Sequence, residues 1–270
     1  MFKLAEDSNY MMPVNFGGAG GRPPAITYHD VTSIQVAYET DSEGLAAFIP
    51  EPFQMLQPVL TIQYSMCRRV DWMTGGGYNL ISIGVPVVHA HGGERIDGLY
   101  VLIIWENRTA PILTGREQTG MPKIFADIED HHQLGDTLLT NASYEGSTFL
   151  KMSFRRTKQM SPDELKVLSQ RFGTVNAFGW RYIPNIGRPG AALSHATLFP
   201  QEFVYTAAWQ GEGQIHWNAL APQYEYYPMS ALAGGAASKA FGQLPIKAYG
   251  ECLLTHGSLV LRSDLARQLG

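Results

Sequence analysis

Short apolar runs cut off by glycine or proline recur along nearly the whole chain, and this punctuation limits what it can fold into more than any other feature. VLTIQYSM (59–66), YNLISIGVPVVHA (78–90), LYVLIIW (99–105), STFLKMSFRR (147–156), LSHATLFPQEFVYTAAW (193–209) and YGECLLTHGSLVLR (249–262) have the β-branched and aromatic content of strands. LYVLIIW is apolar almost without a break, as suits a strand covered on both faces, whereas STFLKMSF alternates as a half-exposed one would. Helices are fewer. Ser161-Pro162-Asp163-Glu164 supplies an N-cap, a proline at the first helical position and a capping-box glutamate, and Leu165, Leu168 and Phe172 follow at helical spacing before Gly173. TDSEG starts a second, short helix over 42–48 that must stop near Ile49, because Pro50 restricts its predecessor and Pro52 follows. No linker, repeat or low-complexity tract divides the chain, so one domain is expected over 1–270, with 1–24 as a loop-rich N-terminal segment.

Hydrophobic residues at 45% and charged residues at 16% describe a chain able to bury a large core. A net charge of −4 offers no basic stripe for nucleic acid, and Arg68-Arg69 and Arg155-Arg156 read as solvated faces beside strands. Cys67 and Cys252 lie outside any CxxC pattern, which suggests neither a disulfide framework nor a zinc site and fits a reducing compartment. No apolar run has signal-peptide length and none approaches the ~20 residues needed to cross a bilayer, so a cytoplasmic protein without membrane contact is expected.

Most motif-like features are weak. FGGAGGRPP (16–24) lacks the preceding strand and following helix of a phosphate loop. His89 and His91, two residues apart on a strand, share a face and can ligate a metal together, but no third ligand is evident nearby. His131-His132 is weaker still, no GxSxG elbow appears, and nothing around Cys67 marks it as a nucleophile.

Lys123 is different. Gly120, Met121 and Pro122 precede it, and Ile124, Phe125 and Ala126 follow. An amine attacks a ketone only when unprotonated, and a lysine at its ordinary pKa of ~10.4 is almost wholly charged at neutral pH. Bringing a lysine to about 7 takes roughly 4–5 kcal/mol, which desolvation among apolar side chains can supply. The alternative is a lysine snorkelling from a strand end toward water.

GREQTGMPKIF (115–125) resembles the Gly-Arg-Glu-Leu-Ser-Ala-Tyr/Phe-Pro-Lys-Lys segment of the acetoacetate decarboxylase family, whose first lysine forms a Schiff base with the ketone of the substrate. TDSEGLAAFIPEPF, VPV (85–87), YIPN (182–185), AAWQG (207–211) and LPIK (244–247) resemble further family segments, in family order from about residue 22 to residue 262. The resemblance thus implies that Lys123 is the Schiff-base lysine, activated by a hydrophobic pocket or a neighbouring cation as in that family. It also implies an α+β fold of mostly antiparallel strand, with a curved sheet or barrel enclosing a pocket, a few peripheral helices, and a homo-oligomer. Neither an organic cofactor nor a metal is required, because the iminium is the electron sink.

The departures from the family pattern matter as much. The second lysine is replaced by Ile124, which leaves Arg116 as the nearest cation in sequence, and the positions of an arginine and two glutamates of the decarboxylase pocket align with Val31, Gln63 and Leu80. This altered pattern resembles pyruvate aldolase-dehydratases, so the expected activity is that of a Schiff-base lyase on a small oxo acid such as pyruvate, with an aldehyde as second partner. A β-keto acid decarboxylase is the alternative within the enzyme class; a non-catalytic binder of an apolar keto compound is the alternative outside it. Gln118, five residues before Lys123, is expected to hydrogen-bond the substrate, with Arg116, Gln63 and Leu80 also at the substrate. Glu117 is expected as an acid/base neighbour unless it serves structure alone, and Tyr249 as a proton-handling group unless it is a core tyrosine; Arg116 can instead hold the loop by pairing with an acid.

Overall fold

The computed structural model describes residues 3–16, 18–20, 24–220 and 235–270. A small hairpin of β1 (Ser8–Tyr10) and β2 (Gly18–Gly20) is followed by β3 (Ile26–Glu39), α1 (Ser42–Ala46), β4 (Phe53–Met55), β5 (Val59–Val70), β6 (Tyr78–His91), β7 (Glu94–Glu106), α2 (Thr109–Thr119) and β8 (Lys123–Phe125). Then come β9 (His132–Leu134), β10 (Thr137–Tyr144), β11 (Ser147–Gln159), α3 (Pro162–Phe172), β12 (Thr174–Pro184), β13 (Ala191–Trp217), α4 (Gly235–Gln243), β14 (Ala248–Leu261) and β15 (Arg267–Gln268). The glycine cluster at 16–24 lies partly outside the described residues.

Seven of these strands close into a barrel. Their order is β12-β7-β6-β5-β3-β14-β13, and β13 pairs back onto β12. Every junction is antiparallel except β12 with β7, where Ala177 faces Leu99 and Phe178 faces Tyr100. Closure removes the open edges that a flat sheet would present. β13 is 27 residues long and serves two layers. Its first part pairs with β12 and β14, and its last part, from Trp209 to Trp217, pairs with β11, which leads on to β10 and β9 as a wing outside the barrel.

Strand alternation sorts the side chains between lumen and wing. Ile34, Val36 and Tyr38 of β3, Leu60, Ile62 and Tyr64 of β5, and Ile81 and Ile83 of β6 point outward into a core shared with Leu138, Phe149, Leu150 and Phe154 of the wing. Each such aliphatic side chain contributes about 1.5–3 kcal/mol by leaving water. The residues between them face the lumen.

All six expected strand runs are strands, and LYVLIIW is indeed covered on both sides, by the lumen and by the outer core. The α+β fold of mostly antiparallel strand around a pocket is the one observed. In α3 the capping box is complete: Glu164 N–H donates to Ser161 Oγ at 3.3 Å, and Ser161 N–H donates to Glu164 Oε2 at 2.8 Å. α1 is capped by Asp41, which accepts from Gly44 N–H at 2.9 Å, and ends at Ala46. Among the described residues no helix is long and apolar enough to cross a membrane. His89 is buried beside Phe53 and Phe178 while His91 is exposed, and no group of three or more metal-ligating side chains occurs among the described residues.

Candidate active site

The barrel lumen is a cavity of about 710 Å³ lined by inward-facing residues of all seven strands, among them Gln35, Gln63, Ser82, Ile104, Ala177, Phe199 and Thr255. Lys123 reaches it from the first position of the short strand β8, which the backbone holds in place. Helix α2 stops at Gly120, whose φ of +69° is a left-handed conformation that glycine adopts without a Cβ penalty. The chain then runs extended, and β8 lies parallel to the end of β7 with Lys123 opposite Ile104. Ile104 N–H donates to Pro122 O at 3.0 Å and Ala126 N–H to Glu106 O at 3.1 Å, pinning the lysine strand at both ends. Because Ile104 and Glu106 are two apart on β7, both face inward on the side that Lys123 occupies.

Lys123 is only 7% exposed and Glu106 is fully buried. Lys123 Nζ lies 2.8 Å from Glu106 Oε1, while Glu106 Oε2 accepts no hydrogen bond from any described residue. Burial pushes the Glu106 carboxyl above the usual carboxylate range, and the charge and hydrogen bond of Lys123 pull it part of the way back. The pair sets an acid/base group directly beside the nitrogen of a candidate nucleophile.

Helix α2 fits against the lysine at Gly115. A Cβ placed there would stand 2.4 Å from Lys123 Cδ and 2.5 Å from Cε, so only glycine leaves the side chain its path. Arg116 donates from Nη1 to Lys123 O at 3.0 Å, and thus clamps the backbone of the nucleophile from the exposed side of the helix.

Around this floor stand further polar groups. Tyr28 and Tyr78 line the cavity with their hydroxyls 3.0 Å apart, and burial, acting most strongly, raises both above the ordinary phenol range; they stay protonated and act as hydrogen-bond donors. The Cys67 thiol, opposite Tyr78, is pushed up to about 12, by burial first and by the Glu106 charge second, which makes it inert. One row toward the other end, Ser33 Oγ and Ser65 Oγ are 2.7 Å apart and Gln63 Nε2 donates to Ser65 Oγ at 3.0 Å, a belt of neutral groups on the inner face.

Of the residues expected at the site, Lys123, Gln63 and Leu80 line the cavity. Val31 is buried in a satellite core with Tyr28 and Val70, outside the lining. The other four expectations need correction. Arg116 holds the Lys123 carbonyl rather than substrate or an acid. Gln118 is exposed past the far side of α2 and donates to Met11 Sδ at 3.2 Å, and the half-buried Glu117 is also outside the lining. Tyr249 sits on the outer face opposite Tyr38, its ring edge-on to that tyrosine and its hydroxyl accepting from Ile215 N–H at 3.1 Å. Sequence reasoning missed Glu106, Tyr78, Tyr28 and the two serines. The signal for Glu106 was present as a carboxylate closing an otherwise apolar run, LYVLIIWE.

Comparison with known proteins agrees with this architecture. The sequence model of the acetoacetate decarboxylase family matches residues 11–241. An acetoacetate decarboxylase of Chromobacterium violaceum is 35% identical over 191 residues, 69% of this chain and 73% of that protein. The crystal structure of acetoacetate decarboxylase from Legionella pneumophila superposes with a TM-score of 0.72 at 21% identity, covering 94% of this chain and 91% of that one. The enduracididine biosynthesis enzyme MppR, in complex with pyruvate, superposes with a TM-score of 0.68 at 14% identity, covering 98% of this chain and 99% of that one. Matched by the family model over most of its length and 35% identical to one of that family's decarboxylases, the chain belongs to the acetoacetate decarboxylase family of lyases.

Proposed function

We propose that the chain is a Schiff-base lyase of the aldolase-dehydratase kind, with Lys123 as nucleophile and Glu106 as the group that moves its protons. The observation that carries this reading is the buried Lys123–Glu106 pair, 2.8 Å apart at the cavity floor. The Glu106 carboxylate, made a stronger base by burial, takes a proton from the lysine as a carbonyl compound arrives. The free amine adds to the carbonyl carbon, Glu106 returns the proton to the oxygen, water leaves, and an iminium remains.

The iminium draws electrons from the bond at the next carbon. In a β-hydroxy ketone the bond between the α and β carbons breaks, its electron pair forms the enamine, and the β-hydroxyl yields its proton to the Glu106 carboxylate as the aldehyde forms. For dehydration the same carboxylate removes the α proton, and that proton accompanies the departing β-hydroxyl as water. Tyr78 and Tyr28 serve as donors to oxygen at this floor. The pattern resembles enzymes that take a small oxo acid such as pyruvate as donor, and MppR in complex with pyruvate has a similar fold; in this lumen both lining cations are held by acids, which favours a carbonyl compound without a carboxylate.

Decarboxylation of a β-keto acid is the second reading, favoured by the activity named for the Chromobacterium violaceum relative and by the Glu106 carboxylate, which would raise the energy of a bound carboxylate. Borohydride trapping with pyruvate, acetoacetate and uncharged ketones tests all of this. A mass gain on Lys123, lost in Lys123→Ala, is the expected result; gas release from acetoacetate would assign the decarboxylase, and no gain with any carbonyl compound would leave only a binding role.

A further inference from the structure

The charge and the size of the lumen say what kind of carbonyl compound suits it. Four carboxylates line it, those of Glu39, Asp97, Glu106 and Glu251, against two cations, Lys123 and Arg171. Both cations already hold an acid: Lys123 holds Glu106 at 2.8 Å, and Arg171 holds Glu251 at 3.1 Å. Asp97 lies 3.3 Å from Arg95, an exposed pair that water screens. Glu39 ends β3, Asp97 lies near the start of β7 and Glu251 near the start of β14, so these acids gather at the end of the barrel opposite Lys123. An anion in this lumen meets a field of its own sign, and its carboxylate has no unengaged cation among the described lining residues.

Size points the same way. A cavity of about 710 Å³ falls among the sites of ~300–1,000 Å³ that enclose drug-sized ligands rather than three-carbon acids. From Glu106 to Asp97 along β7 the strand extends on the order of 30 Å at ~3.3 Å per residue. The neutral belt of Gln63, Ser65 and Ser33 lies level with the reacting pair: the registers Lys123–Ile104–Ser82–Gln63 and Glu106–Leu80–Ser65–Ser33 carry it round the barrel wall from the lysine and the glutamate. Neutral hydroxyls and amides on the lumen wall recognise an uncharged oxygen without the desolvation cost of a charge. Toward the acidic end, Leu168, Phe172 and Tyr205 offer apolar surface.

We propose that the substrate of this lumen is an uncharged, extended ketone or aldehyde with an oxygen β to its carbonyl. Its carbonyl carbon meets Lys123, its β oxygen lies on the Gln63–Ser65–Ser33 belt, and its apolar remainder runs toward the acidic end. The inference rests on the Schiff-base reading of Lys123, and the one covalent step it requires is condensation of that amine with the carbonyl, with loss of one water.

Cyanoborohydride trapping on the full-length protein tests it with two matched pairs. Pyruvate and its neutral amide, 2-oxopropanamide, are alike in size and activation and differ in charge; the amide is expected to label Lys123 at least ten times faster. The other pair is 4-hydroxy-4-phenylbutan-2-one and 4-phenylbutan-2-one, scored by mass gain on Lys123 from the intact or cleaved ketone. Gln63→Leu is expected to raise the half-saturating concentration of the hydroxy ketone about tenfold and leave that of its deoxy analogue unchanged. Pyruvate labelling as fast as the amide, or an equal effect of Gln63→Leu on both phenyl ketones, overturns the substrate class while leaving Lys123 a Schiff-base residue. Absence of label with every one of these compounds overturns the Schiff-base reading and the inference together.

Discussion

The two faces of the same barrel strands have opposite tasks. On the outer face, Ile34, Val36, Leu60, Ile62, Ile81 and Ile83 are fully or almost fully buried and interlock with the wing. On the inner face, one residue away along each strand, stand Ser33, Gln35, Thr61, Gln63, Ser65 and Ser82, and they surround open space. A small barrel can fill its interior with side chains or keep room for a ligand. Here the second choice is possible because the core has been moved outside: β13 runs on past the barrel and brings β11 and β10 over the outer face. Stability therefore lives on the outside of this barrel and chemistry on the inside.

The sharpest break of that division is Lys123→Ala, which is expected to abolish borohydride labelling and lower turnover by at least about 10³-fold. It also exposes a place where inside chemistry bears on stability. Without Lys123, Glu106 loses the group that pulls its carboxyl back down among the described residues, so its folded-state pKa rises further above the unfolded value. A carboxyl of this kind binds its proton more tightly folded than unfolded, so stability falls as pH climbs from the unfolded carboxyl pKa of ~4.3 through the folded value. The variant should thus match the parent in thermal unfolding near pH 4 and lose about 3–5 kcal/mol relative to it at pH 8, the cost of a buried charge without a partner. Adding Glu106→Gln should remove most of this pH dependence.

A neighbouring pair of residues sharpens the comparison further. Ile62→Ala opens a hole in the outer core and is expected to cost about 2–5 kcal/mol in urea unfolding, with Lys123 labelling unchanged under folded conditions. Gln63→Ala, one residue on, faces the lumen and should cost less than about 1 kcal/mol while weakening capture of a β-oxygenated ketone. Equal stability losses at the two positions would deny the division of labour between the faces.

How far this division could be seen in the sequence follows from the same physics. Runs whose two faces are both apolar, such as LYVLIIW, announce themselves, and so does α3, whose capping box is purely local. β3 does not, because HDVTSIQVAYE mixes outward isoleucine and valine with inward serine and glutamine, and the polar lumen blurs the pattern of a strand. α2 was hidden by Pro111 and Gly115, which read as breakers; the first sits in the first turn, where proline is tolerated, and the second is required by the lysine. Lys123 was legible from its apolar neighbours; Glu106 showed as a carboxylate ending an apolar run, but its role did not, since it is the parallel pairing of β8 with β7 that joins residues 106 and 123. Gln118 and Tyr249 were misjudged for a related reason: nearness in sequence to the lysine, or to a family landmark, says nothing of the side on which a helix end or a bulged strand leaves the chain.

Gly115 lies outside the barrel wall yet serves the inside. In Gly115→Ala the new Cβ contests the space of Lys123 Cδ and Cε, and the lysine side chain, flexible toward its end, yields before the helix does. Alanine in a helix interior is favoured over glycine by ~1 kcal/mol, so stability should hold or rise slightly. A nucleophile displaced by about 1 Å loses on the order of 10²-fold in rate. Faster thermal unfolding with normal labelling would mean instead that Gly115 serves helix packing alone.

The mildest test concerns α3, whose Leu168, Arg171 and Phe172 line the end of the lumen opposite Lys123. Ser161→Ala removes the hydroxyl that accepts from Glu164 N–H and should cost about 1 kcal/mol, read as a small drop in urea midpoint. Because α3 meets the cavity only at that far end, labelling of Lys123 by a short ketone such as acetone should not change. Labelling by an extended ketone should not change either while the helix remains folded, since the cap sets how often the first turn frays and not where Phe172 rests once it is formed. A variant that labels faster with the extended ketone and equally with acetone would show that fraying of this helix admits the longer substrate, and would place the way into the lumen beneath α3.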